Sequence, residues 1–199
     1  MPRTAAQFEE IRSEKRVLIK ETALRLFANQ GYIKTSMSKI ANEAGISKGL
    51  IYNYFESKEA LLKSIINELV DEFSKNIDPN KDKIITEEEA LNFVDSTFEL
   101  IKDKKDFLKC YFQLLFQPEV ENIFSTTNII NKTIIEQQVL FLNYLISKSP
   151  NINPKIVKAN IISFIRGLMI TYIFYPTMFT EEFVKEYKQY LKENFIKSI

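Results

Sequence analysis

Lys48, Tyr52 and Asn53, with Gly49 between them, set an amine, a phenol and an amide beside a residue that has no side chain. At about 100° per residue, Gly49 and Asn53 share one side of a helix, Leu50 and Tyr52 flank it, and Ile51 and Phe55 fall opposite. Such a face can enter a major groove: Asn53 can read an adenine edge, Lys48 can meet guanine or phosphate, and Gly49 permits close approach. Hydroxyls on Ser36 and Tyr54 can hold the sugar-phosphate backbone. Lys58, near a helix N-terminus, adds charge where phosphate already binds well. Two plainer readings stay open: Tyr54 lies nearer the buried side and is equally a packing residue, and Lys39, Lys48, Lys58 and Lys63 taken singly make an ordinary solvated face. The joint pattern favours a surface that reads DNA.

Positioning that face takes two short helices that cross tightly. In SMSKIANEAGISKGLIYNYFESKEAL, residues 36–61, Ser36 can cap the first helix and Ser47 the second, which is expected to run to about Phe55. A helix-turn-helix needs a small residue at the crossing and a positive φ at the turn, and Ala41 and Gly45 supply them. Ile40, Ala44, Ile46, Ile51 and Tyr54 fall where that motif buries apolar groups. Upstream, Ile19, Ala23, Leu26 and Phe27 form one stripe of a helix over 8–30, ended by Gly31 in a left-handed conformation. Ser57 can cap a fourth helix with Leu61, Leu62, Ile65, Ile66 and Leu69 as its apolar side.

The segment NIDPNKDK, 76–83, is polar and turn-rich, and is the best candidate for a boundary or loop. After it the segments lengthen. Thr86 and Glu89 match a capping box that begins a helix to about Lys104. A shorter helix is expected over 106–117, ended by Pro118, then a long one over 119–148. Asn153-Pro154 starts another that Pro176 ends, and Thr180 begins the last, over 181–197. With no run of period two, the expected fold is all-α with about nine helices.

Composition narrows the chemistry. The chain has 199 residues, 45% hydrophobic, with 4 Gly and 6 Pro against 16 Phe and 9 Tyr, which favours packed helices over turn-rich β folds. No histidine is present, which excludes Ser-His-Asp and Cys-His catalysis and His-ligated metals. Cys110 is the single cysteine, so neither an intrachain disulfide nor a cysteine metal cluster can form. No enzyme activity, cofactor or metal is expected. The opening MPRTAAQFEE has no apolar signal core, and 161–175 is too short for a membrane span and carries Arg166, so a cytoplasmic protein without membrane contact is expected. Residues 1–58 hold 10 Lys/Arg against 6 Asp/Glu, whereas the remainder is slightly acidic: a basic head fits a phosphate partner.

The run from Ile19 to Leu62, with LF…GY, IA…AG, SKG…Y.YF and SKE.LL in that order and spacing, resembles the TetR family of bacterial and archaeal transcriptional regulators. The resemblance covers about a quarter of the chain. It implies an N-terminal three-helix helix-turn-helix domain over 1–57, a connecting helix over 58–74, and a larger helical ligand-binding and dimerisation domain over 75–199. By the same resemblance Ser36 and Ser38 open the helix that crosses the backbone, Lys48, Gly49, Leu50, Tyr52 and Asn53 face bases or nearby phosphates, and Tyr54 and Lys58 clamp phosphate. Leu50 departs from the threonine often found there and can contact a thymine methyl instead.

In that family the last two helices pair with a second subunit. Here the matching helices carry more apolar residues than one face of an isolated helix hides, among them Ile173, Phe183, Tyr187, Leu191 and Phe195. Gly167, in mid-helix, suits a close helix crossing. Arg166 beside it can pair with a partner carboxylate or anchor an anionic ligand. An effector pocket is expected among Phe107, Cys110, Tyr111, Phe112, Phe141, Tyr144, Phe164 and Tyr172, with Phe124 nearby, although each of these is also a fair core residue. The resulting expectation is a homodimer that binds double-stranded DNA, represses transcription and is released by a small apolar or aromatic effector. A small-molecule binder with a vestigial DNA head and a TetR-like activator remain the alternatives.

Overall fold

The computed structural model describes residues 4–120, 123, 132–148 and 151–197, and every regular element among them is helical. In order these are α1 (Ala5–Gln30), α2 (Met37–Glu43), α3 (Lys48–Tyr52), α4 (Lys58–Ser74), α5 (Glu87–Asp103), α6 (Lys105–Leu115), α7 (Lys132–Ser147), α8 (Pro154–Phe174) and α9 (Glu181–Leu191). A 3₁₀ turn, Pro176–Met178, separates α8 from α9, and a π-helical stretch, Lys192–Lys197, follows α9. The expected helix over 119–148 falls partly outside the described residues, as do Phe124 and the side chain of Phe195.

The caps read from sequence form as hydrogen bonds. Ser36 accepts from Lys39 N at 3.2 Å, Ser47 from Leu50 N at 3.2 Å and Ser57 from Ala60 N at 3.0 Å. Thr86 and Glu89 close the reciprocal box at the start of α5, and Asn153 caps α8 ahead of Pro154. Each cap satisfies an amide that the helix itself leaves open. Two ends differ from expectation. α3 stops at Tyr52 rather than Phe55, because Asn53 N and Tyr54 N bond back three residues to Leu50 O and Ile51 O and tighten the final turn. Gly31 ends α1 with φ +89 and ψ 144, positive in φ but extended in ψ, so it is not the left-handed helical residue expected.

The chain forms two compact units, Met1–Glu68 with Cys110–Ile129, and Leu69–Lys109 with Ile130–Ile199. In the first, Ile19, Ala23, Leu26 and Phe27 of α1 are buried as the stripe predicts, together with Ile40, Ala41, Ile51, Phe55, Leu61 and Leu62. The isoleucine, leucine and phenylalanine side chains among them each contribute about 1.5–3 kcal/mol on full burial. The left-handed turn after α2 is closed by two backbone bonds: Ile46 N donates to Ala41 O at 2.9 Å and Gly45 N to Asn42 O at 3.1 Å, with Gly45 at φ +66.

In the second unit, Ile77, Ala90, Phe141, Leu145 and Ile196 form a buried cluster against which Ile85, Phe93, Val94 and Tyr144 pack. Lys188 of α9 pairs with Glu99 of α5 at 3.0 Å and with Asp95 at 3.8 Å, and Lys192 also pairs with Asp95. α8 corrects one expectation. Its 21 residues are long and apolar enough to cross a membrane by length and composition alone, and only 11% of its apolar window is buried within this chain.

Gly45→Ala places a Cβ where φ is positive and is expected to destabilise the chain by about 1–2 kcal/mol, since that is the steric cost of the left-handed region. Urea denaturation followed by far-ultraviolet circular dichroism measures it.

Candidate nucleic-acid interface

α3 is too short to be stable alone, and its orientation is set by what anchors it. Ile51 is fully buried and Phe55 nearly so, and this turns Lys48, Gly49, Leu50, Tyr52 and Asn53 outward, all of them exposed. Apart from its neighbours and the backbone of its own helix, none of the described residues lies within 4 Å of where a Cβ on Gly49 would stand, so the backbone there is open to an approaching surface. Ser36 and Ser38 are exposed at the start of α2. The Ser36 oxygen is already an acceptor for Lys39 N, which leaves its hydroxyl proton free to donate outward. Tyr54 is half-buried.

A cleft of about 330 Å³ runs beside this face, lined by Phe8, Ile11 and Arg12 of α1 and by Leu50, Asn53 and Tyr54. The first three escaped the sequence reading because nothing in α1's periodicity marks which turn meets α3. Arg16 escaped it as well. Its guanidinium donates to Tyr54 O at 3.2 Å and lies 4.5 Å over the Phe55 ring, so one cation holds the end of the α3 turn by a hydrogen bond and by its attraction to an aromatic face.

Lys58 is not placed as a free phosphate clamp. Its ammonium donates to three carbonyls of the loop between α1 and α2: Tyr32 O at 2.9 Å, Thr35 O at 3.1 Å and Ile33 O at 3.4 Å. It also sits 4.3 Å over the Tyr32 ring. A lysine has three protons to give, and here all three have protein acceptors. Burial lowers the Lys58 pKa, which disfavours the charge, while the carbonyls and the ring favour it. The same loop is gripped from another side by Gln117, which no local pattern marks. Its Nε2 donates to Phe27 O at 2.8 Å and its Oε1 accepts from Tyr32 N at 2.8 Å. Thr35 completes the grip by donating to Gly31 O at 2.9 Å.

The expected effector residues divide between the two units. Cys110, Tyr111 and Phe112 belong to the first unit, and Phe107, Phe141, Tyr144, Phe164 and Tyr172 to the second. Phe141 is spent on the core, 4.6 Å from the Phe93 ring. A cleft of about 130 Å³ in the second unit takes in Tyr172 of this set, with Lys102, Lys105, Pro176 and Phe179. The Tyr144 hydroxyl is buried without a hydrogen-bond partner, and burial, with Glu87 adding to it, raises its pKa. Among the expected interface residues Arg166, Gly167 and Phe183 are exposed and Tyr187 is half-buried, stacked on Phe183 at 5.4 Å. Ile173 and Leu191, expected at a dimer interface, are buried within the chain itself.

Residues 19–65 match the family described as bacterial regulatory proteins, tetR family. The uncharacterized HTH-type transcriptional regulator YuxN of Bacillus subtilis (strain 168) is 61% identical over 54 residues, covering 27% of this chain and 19% of YuxN. A second uncharacterized HTH-type transcriptional regulator of that organism, YerO, is 32% identical over 170 residues, covering 81% of this chain and 55% of YerO. The chain thus spans about half or less of the length of these curated relatives. Among solved structures, the transcriptional regulator FadR from Bacillus subtilis in complex with stearoyl-CoA superposes with a TM-score of 0.62 at 21% identity, covering 92% of this chain and 98% of that one.

Two outcomes are expected for the gripped loop. Gln117→Met keeps the side-chain length but removes both bonds and leaves the Tyr32 amide unpaired, with an expected loss of about 1–3 kcal/mol in urea denaturation and faster amide exchange at Tyr32. Burial, with Glu59 adding to it, pushes the Tyr32 phenol from 10.0 up to about 12. The folded chain keeps that proton after the unfolded chain has lost it, so this contribution to stability is complete below pH 10 and disappears as pH rises to about 12. Thermal unfolding across that range is expected to show a smaller decline for Tyr32→Phe than for the unaltered protein.

Proposed function

We propose that the chain, whose residues 19–65 match the tetR family of bacterial regulatory proteins, is a homodimeric, ligand-responsive transcriptional repressor. The observation that carries this reading is the outward face of α3, where Lys48, Gly49, Leu50, Tyr52 and Asn53 are all exposed over a buried Ile51. In this reading α3 enters the major groove, Asn53 and Lys48 meet base edges, Leu50 meets a thymine methyl, and Tyr52, Ser36, Ser38 and Tyr54 hold phosphates. Lys58 acts indirectly, by fixing the loop that leads into α2. Two copies then read half-sites of a pseudo-palindrome spaced by a helical turn or a multiple of it.

The second copy is supported by the apolar surface that α8, α9 and the turn between them leave uncovered. Ile162, Tyr175, Met178, Phe183 and Tyr190 are all exposed, and a Cβ on Gly167 would meet nothing within 4 Å in this chain. A facing helix can therefore approach closely at Gly167. A symmetric partner buries the same face on both subunits, and this accounts for an apolar α8 without a bilayer. The effector is an apolar or aromatic molecule that fits better when the two heads are at the wrong spacing. It shifts the population toward the released state by no more than its differential affinity for the two.

Selection of random duplex DNA by the purified protein is expected to enrich a pseudo-palindrome, and Lys48→Ala and Tyr52→Ala each to weaken binding to it by about 10-fold or more with the oligomeric state unchanged. Enrichment of nothing, with binding that merely fades as salt rises, would leave only charge-driven contact and favour a vestigial head. Sedimentation is expected to give a dimer that Phe183→Glu dissociates, because a charge would be buried at the shared face.

A further inference from the structure

Asp78 is 4% exposed, and its Oδ1 is buried without a hydrogen-bond partner. A carboxylate oxygen in that condition is costly unless a cation completes it. The other oxygen, Oδ2, accepts from Lys83 N at 3.1 Å, so the carboxylate faces across the loop that joins α4 to α5. Along that loop further oxygens follow at fixed intervals. The segment from Asp78 to Glu89 reads DPNKDKIITEEE. It places Asp78, Asn80, Asp82, the Ile84 carbonyl, Thr86 and Glu89 at positions 1, 3, 5, 7, 9 and 12 of the loop with which a helix-loop-helix EF-hand surrounds calcium.

The backbone follows the same course. Position 6 of such a loop makes a sharp turn, usually with glycine. Here Lys83 occupies it at φ +65, with Lys81 at φ +61 two residues earlier. Asp82 N donates to Asn80 Oδ1 at 3.0 Å and Ile84 N to Asp82 Oδ1 at 2.8 Å, which curls the chain around one point. Ile85, at position 8, is packed against the buried cluster of Ile77, Ala90 and Phe141 and anchors the loop. α5 begins at Glu87, three residues after the carbonyl at position 7.

We propose that the loop from Asp78 to Glu89 binds a divalent cation, Ca²⁺ in preference to Mg²⁺, through Asp78, Asn80, Asp82, the Ile84 carbonyl, Thr86 and Glu89. The expectation of no metal rested on the missing histidine and the single cysteine, which excludes nitrogen and sulfur ligands but not an all-oxygen site. An irregular loop with a main-chain ligand suits the larger, less directional Ca²⁺; Mg²⁺ demands a compact octahedron.

One movement is required. Glu89 Oε2 now accepts from Thr86 N and Thr86 Oγ1, both at 2.9 Å, and among the described residues no three acidic, histidine or cysteine side chains are gathered around one point. Glu89 must leave its cap and turn toward Asp78, so binding acts directly on the first turn of α5. Lys81 and Lys83 in the loop oppose the cation, which sets the expected dissociation constant at about 10⁻⁵ to 10⁻³ M, the weaker part of the range for such loops. The site stands independently of DNA reading.

Calorimetric titration of the full chain, stripped with a chelator, tests it with Ca²⁺ and Mg²⁺ in physiological salt. One Ca²⁺ per chain is expected, with Mg²⁺ weaker by about 10-fold or more. Glu89→Gln isolates the ligand role, since glutamine serves equally in a capping box and the fold is retained. It is expected to weaken Ca²⁺ binding by about 10-fold or more, as is Asp78→Asn, while Glu88→Gln, outside the ligand positions, leaves it unchanged. No saturable binding at millimolar Ca²⁺, equal affinity for Mg²⁺, or unaltered binding in both Glu89→Gln and Asp78→Asn would overturn the assignment.

Discussion

Everything that faces outward from α3 depends on how the chain leaves α2. Gly45 at φ +66 lets Ile46 N reach back to Ala41 O while Gly45 N bonds to Asn42 O, and these two bonds set where α3 begins. A five-residue helix has too few internal bonds to hold a direction by itself. Its direction is inherited from that turn and from Ile51 and Phe55, buried on the far side. A residue with a Cβ at the turn would strain the backbone there, and the outward face would turn with it.

The loop ahead of α2 carries a second constraint of a different kind. Its amide and carbonyl groups have no sheet or helix to satisfy them, yet they are partly buried and need partners. Lys58 supplies three donors to its carbonyls and Gln117 supplies both a donor and an acceptor across Phe27 O and Tyr32 N. The two side chains come from sequence positions 23 and 85 residues away from their nearest partners in the loop. A charged side chain near an outward helical face is naturally read as a phosphate contact, but Lys58 is occupied with the protein's own backbone. Charge alone did not reveal its role; the count of available donors did.

The two halves of the chain differ in how readily they are read. In the first, local rules act over a few residues: serine caps, a glycine at a turn, an apolar stripe of period 3.6. These give the helices and the outward face of α3 directly. In the second, the helices are legible but the aromatic residues are not, because Phe141 can fill a core or line a pocket with the same periodicity, and only its contact with Phe93 decides between them. Ile173 and Leu191 make the same point from the other side. Their apolar character fits a partner surface, yet this chain buries them itself.

The segment 76–83 shows the remaining ambiguity. As composition it is a polar, turn-rich connector; as a spacing of oxygen atoms continued to Glu89 it is a ligand set. The two descriptions part only when Asp78 is seen to be buried with one oxygen unmet. The helices, their caps, the turn at Gly45 and the residues α3 presents are legible in the sequence alone, because each follows from interactions within one turn or a few residues. That Lys58 and Gln117 hold a loop, that Arg16 holds the end of α3, which aromatics are core, and that one oxygen of Asp78 is unmet emerge only in three dimensions. Those outcomes depend on groups far apart in the chain meeting in space, and no local pattern encodes which of them will meet.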